Sequence, residues 1–123
     1  MSDKQAQNRA LTDRLSRSRE ISISVIGRKS GRNISNPVWF VWNEDKLYLL
    51  PVQGSDTQWY KNVLKNSSIR IKARGPEAEF KAAPITDARE VSSVVEKFTD
   101  KYGARDVKKY YSKFDVAILV QMQ

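Results

Sequence analysis

Arg28, Lys29 and Arg32 fall within five residues, bracketed by Gly27 and Gly31, with the Ser30 hydroxyl between them. Two glycines let the backbone turn tightly and present its N–H groups, and the cations and hydroxyl add charge-assisted donors. That is the chemistry of an anion site, most naturally for phosphate. The run matches neither the dinucleotide fingerprint GxGxxG nor the phosphate loop GxxxxGK. A hairpin turn with solvated charges reads from the same residues, and the residues alone leave both open. A second cationic row, Arg70, Lys72 and Arg74, alternates with Ile69, Ile71 and Ala73. It reads as a solvated strand face or as a guide for an anionic ligand tail.

Much other chemistry is excluded. The chain holds no cysteine and no histidine. Disulfides, thiolate metal sites, cysteine nucleophiles and Ser-His-Asp arrangements are therefore ruled out. The acids are scattered, so no metal site is expected. A net charge of +8 calls for an anionic partner: nucleic acid, an acidic lipid surface or a multiply charged small molecule. The longest apolar run, Val116 to Val120, is too short to span a bilayer, and the N-terminus lacks a signal-peptide core, so the cytoplasm is the expected location.

The elements that must position these residues follow from periodicity. Residues 1–19 read as a basic helix with a narrow apolar face, Leu11 and Leu15, docked on the protein or touching a membrane surface. Glu20 to Ile26 alternates as a half-buried strand, and Val38 to Trp42 reads as the second. Leu47 to Val52 makes a hairpin with it. Ser55, Asp56 or Thr57 can cap a helix running to about Asn66, with Trp59, Val63 and Leu64 on one face. Ile69 to Arg74 and Ala78 to Ile85 are strands. Thr86 caps a helix whose stripe is Val91, Val94, Val95, Phe98 and Tyr102, ended by Gly103. Arg105 to Lys113 is a short helix carrying Tyr110 and Tyr111, and Phe114 to Val120 closes the chain. The expected class is mainly β (α+β). About six antiparallel strands curl into a small barrel, with roughly two to four flanking helices.

In this order, G-R-K-S-G-R (Gly27–Arg32), N-P-V-W-F (Asn36–Phe40), W-Y-K-N-V-L (Trp59–Leu64) and the R-I-K-A-R-G strand resemble the deazaflavin (coenzyme F420)-dependent nitroreductase family. The likeness covers about Ile21 to Gln121. It implies a split β-barrel, related to FMN-binding pyridoxamine-phosphate-oxidase-like proteins, over residues 20–123. It also implies a cofactor site. Arg28, Lys29, Ser30, Gly31 and Arg32 would hold the phosphate end and acidic tail, and Asn36, Pro37, Val38 and Trp39 would lie beside the ring. The Val52, Gln53 and Gly54 backbone would bond the ring's polar edge, and Trp59, Tyr60 and Asn62 would close the site. Trp39, Tyr102, Tyr110 and Tyr111 would line the substrate pocket. Trp39 reads also as a core aromatic, and Trp59 and Tyr102, which continue the apolar faces of their helices, read as core first. Where many relatives have A-S-K-G-G, this chain has Pro51-Val52-Gln53-Gly54-Ser55.

The resemblance implies an F420H2-dependent oxidoreductase that passes a hydride to a quinone, enone or nitro-type small-molecule acceptor. The cofactor carries the chemistry, so no side chain is assigned a catalytic role, beyond Tyr110 or Tyr111 as a proton source. The alternatives are an FMN-binding split barrel, a non-catalytic cofactor carrier, and a basic barrel binding single-stranded nucleic acid. Nucleic acid is not the expected partner, because the aromatics cluster with apolar residues. A homodimer is carried as an expectation from the flavin branch.

Overall fold

The computed structural model describes residues 2–122. β1 (Ile21–Ile26) forms where Ile21, Ile23 and Val25 alternate with Ser22 and Ser24; the branched residues are buried. The chain turns back as β2 (Asn33–Val38), paired antiparallel to β1 from Ile26↔Asn33 to Ile21↔Val38. After Trp39 alone comes β3 (Phe40–Asn43), which forms a hairpin with β4 (Lys46–Leu49). The sequence reading placed one strand over Val38 to Trp42. The structure divides that run, because its aromatic and β-branched residues favour strand without specifying which neighbour each half pairs with.

β5 (Ser68–Lys72), β6 (Glu77–Ile85) and β7 (Ala117–Gln121) complete a seven-stranded sheet of order β2-β1-β5-β6-β7-β4-β3. All six pairings are antiparallel. β6 serves both halves: Glu77 to Lys81 pairs with β5, and Ala82 to Ile85 with β7. The two edge strands of the curled sheet, β2 and β3, are consecutive in the chain and joined only through Trp39. The architecture is a split antiparallel barrel, mainly β, with one strand more than expected.

Four helices flank it: α1 (Ser2–Leu15), α2 (Gln58–Lys65), α3 (Ala88–Tyr102) and α4 (Ala104–Tyr110). The barrel interior holds the inward residues of the strands. Leu11 and Leu15 of α1 join them, as do Trp59, Tyr60 and Val63 of α2. So α1 is docked by its two leucines, packed on β6. Leu64 is 56% exposed, outside the α2 stripe where it was expected. A helix turns 100° per residue, and Leu64 lies too far round from Trp59 to share its face. A second apolar layer lies outside the sheet. There Val91, Val94, Phe98 and Tyr102 of α3, with Val107 of α4, cover Val41, Tyr48 and Leu119. The cap of α3 is Asp87, whose carboxylate accepts from the Glu90 N–H at 3.1 Å, and not Thr86. Adjacent cap-forming residues look alike in sequence; the backbone decides between them.

Candidate functional site

A cleft of about 500 Å³ opens where the barrel splits, a size suited to a small-molecule ligand. Asn36, Pro37 and Val38 line it from β2, with Trp39 from the junction. Leu50 and Val52 come from the segment after β4, Thr57 and Trp59 from the start of α2, and Tyr110 and Tyr111 from the end of α4. Glu20, just before β1, completes it and is its only charged side chain among the described residues. The sequence reading missed Glu20, Leu50 and Thr57. Glu20 opens the first alternating run and Thr57 reads as a helix cap, so sequence holds no signal that either reaches a cleft.

Trp39 is half-buried and stacks on Tyr102, with ring centroids 4.2 Å apart and planes 7° from parallel. Tyr110 meets it edge-on at 5.2 Å. Tyr102 does not line the cleft; it backs Trp39 and closes the split. Its hydroxyl accepts from the Phe40 N–H (3.1 Å) and lies within donating distance of the carbonyls of Arg19 (2.7 Å) and Phe40 (2.9 Å). It thereby ties the approach to β1 to the start of β3. Burial pushes its hydroxyl pKa up. Burial raises Tyr111 too, with Tyr102 adding to it, so the Tyr111 O–H stays protonated in the cleft wall. Lys101 donates to the Phe40 carbonyl at 2.8 Å and stands 3.6 Å over the Phe40 ring. Burial, helped by Arg19, lowers its pKa to about 8.

Gly27 to Arg32 forms the β1–β2 hairpin turn, closed by Gly27 N–H to the Arg32 carbonyl at 2.8 Å, with Gly31 at φ 71°. The hairpin is anchored to α2. The Arg28 N–H and guanidinium both donate to Asn62 Oδ1 (3.1 and 2.8 Å), and the guanidinium also to Gln58 Oε1 (2.9 Å). The Ser30 hydroxyl accepts from the Arg32 N–H at 3.2 Å. Lys29 and Arg32 are exposed and make no ion pair among the described residues. Asn62 is buried under Arg28 and Tyr60 in the barrel interior, so neither lines the cleft. Arg70 faces Glu77 and Glu79, each at 3.3 Å, so the second cationic row is partly neutralised.

The 51–57 segment is internally bonded. Gln53 N–H donates to Thr57 Oγ1 (2.8 Å), Gly54 N–H to the Pro51 carbonyl (3.0 Å), and Ser112 N–H to the Val52 carbonyl (2.9 Å). Of Val52, Gln53 and Gly54, only Val52 lines the cleft. Gly54 has φ 54°, and a Cβ there would strike the Asp115 carboxylate. That carboxylate accepts from the Ser55 N–H (2.9 Å) and hydroxyl (2.5 Å), which hold its pKa below the usual range. The close approach that requires glycine is thus made by Asp115.

A family model described as "Uncharacterized protein conserved in bacteria (DUF2255)" matches residues 11–117. The chain belongs to the DUF2255 family. No curated protein matches its sequence. Among solved structures, this DUF2255 member is similar to an F420-H2 dependent reductase, FDR-A. The two are 17% identical with a TM-score of 0.66, over 84% of this chain and 94% of that one. A second F420 reductase is 19% identical, with a TM-score of 0.57 over 85% and 86% of the two chains. HutZ, the heme storage protein from Vibrio cholerae, is 12% identical, with a TM-score of 0.69 over 94% and 89%. The DUF2255 chain shares the split-barrel fold of these proteins.

Proposed function

We propose that this protein is a deazaflavin-dependent oxidoreductase that delivers a hydride to a small electron-poor acceptor of the quinone, enone or nitro class, with FMN as the alternative cofactor. The observation that carries this is the cleft at the split. It joins two Trp rings and the Asn36–Trp39 segment, and the cationic hairpin stands at the far end of the same strand. At about 3.3 Å per residue, Arg32 lies roughly 13 Å along β2 from Asn36, the separation a ring with a charged tail would span.

The donor set fits such a group. Trp39 and Trp59 offer flat apolar walls, and Val38 and Leu50 exclude water. The Asn36 amide has no hydrogen-bond partner among the described residues and can fix a ring edge. Lys29 and Arg32 would take the anionic tail, on a hairpin held rigid by Arg28. When bound, a reduced deazaflavin supplies the hydride. Tyr111 holds its proton and offers the O–H to an acceptor oxygen. Haem has less support here, because the chain lacks the histidine and cysteine that most often ligate its iron. A homodimer belongs to the same proposal, since the cleft residues of β2 lie on a sheet edge.

The test is titration with coenzyme F420, FMN and haemin, followed by Trp emission. Saturable quenching by F420, weakened about tenfold or more in Lys29→Ala/Arg32→Ala, supports the reading, since two lost charge-assisted contacts are worth roughly that. Preference for FMN moves the protein to the flavin alternative. Failure to bind either overturns it.

A further inference from the structure

In a chain of net charge +8, the one charged side chain that lines the cleft among the described residues is a carboxylate, Glu20. Four aromatic residues line the same cleft: Trp39, Trp59, Tyr110 and Tyr111. Lys109 Nζ stands 5.6 Å from the Tyr110 ring centroid without lining the cleft, and the other cations beside this wall are directed elsewhere. Lys101 donates to the Phe40 carbonyl over the Phe40 ring, and Arg19 lies 5.2 Å from the centroid of Tyr102, behind Trp39; neither lines the cleft. Trp39 has one face covered by Tyr102, so the surface it lends to the cleft is the rest of an electron-rich indole. Tyr110 is 53% exposed at the mouth.

Aromatic faces attract cations through their quadrupole, most strongly from Trp, and a carboxylate at the rim adds direct attraction. The exposed cations Lys29 and Arg32 lie at the other end of β2, so the two ends of the strand differ in charge. We infer that the cleft binds a planar heteroaromatic cation, such as an N-alkylated azine, in preference to its neutral counterpart, with Glu20 and the Trp39–Tyr110 wall setting that preference. As a statement about the acceptor, this rests on the reductase reading. As a statement about binding, it rests on the cleft lining alone.

The experiment is calorimetric titration of the full chain, without cofactor, with N-methylquinolinium and with quinoline at neutral pH. The cation binds about fivefold to tenfold more tightly, as one cation–π contact plus one exposed charge pair would give. Glu20→Gln reduces that preference by about threefold, the part owed to the charge. Tyr110→Leu, at an exposed position that leaves the core intact, reduces it as well. Equal affinity for the two ligands, an unchanged preference in Glu20→Gln, or binding of neither overturns the inference. F420 binding without cation preference sinks this inference and leaves the reductase reading. Cation preference without F420 binding does the reverse.

Discussion

The Tyr102 hydroxyl is the tie across the split, and Tyr102→Phe tests it. The substitution keeps the ring that stacks on Trp39 at 4.2 Å and removes only the oxygen. The buried Phe40 N–H then loses its acceptor at 3.1 Å, and the Arg19 carbonyl loses a donor at 2.7 Å. The Phe40 carbonyl retains Lys101, and Arg19 is exposed to water, so the uncompensated cost falls on one buried N–H. Leaving such a group unsatisfied costs about 1–3 kcal/mol, and we expect about 2. For a domain of this length that lowers Tm by roughly 6–10 °C. Urea unfolding followed by Trp emission measures it, with the m-value unchanged because the buried surface is the same. The control is Tyr111→Phe. The Tyr111 hydroxyl makes no hydrogen bond among the described residues, so its loss changes stability by less than about 0.5 kcal/mol. Amide exchange at Phe40 is accelerated in Tyr102→Phe only. A loss below about 0.5 kcal/mol in Tyr102→Phe, or equal losses in the two variants, refutes the reasoning.

Further outcomes follow from the same physics. Gly54→Ala forces a Cβ against the Asp115 carboxylate at φ 54° and costs about 1–3 kcal/mol by urea unfolding. Leu11→Ala, at a fully buried position, costs about 2–5 kcal/mol in a single cooperative transition, whereas an undocked helix would lose almost nothing. Lys101 has a folded pKa of about 8 against an ordinary 10.5, so between these values the unfolded chain binds more protons and stability rises with pH. Lys101→Met removes that rise. The wild-type-minus-variant difference, measured by urea unfolding across this window, therefore climbs with pH; a flat difference would show that Lys101 is not perturbed.

The alternation of Ile21, Ile23 and Val25, the stripe on α3 and the Gly103 stop were legible because they are local. A period of two or of 3.6 residues is written in neighbouring positions, and burial follows it. The hairpin from Gly27 to Arg32 was legible for the same reason, as was the aromatic character of Trp39 and Trp59. Pairing was not. Nothing in Val38 to Trp42 marks Trp39 as the point where the chain leaves one edge of a curled sheet and joins the other, since strand propensity does not name a partner. Sequence likewise could not bring Glu20, Thr57 and Tyr111 to one cleft, nor set Tyr102 behind Trp39 as a tie. These residues are dozens of positions apart, and only the closed course of seven strands makes them neighbours. The residue types determined which chemistries were open to this protein: anion binding and ring stacking without a histidine or cysteine. Tertiary structure decided where those groups meet, because distance in space is set by the pairing of strands and not by separation along the chain.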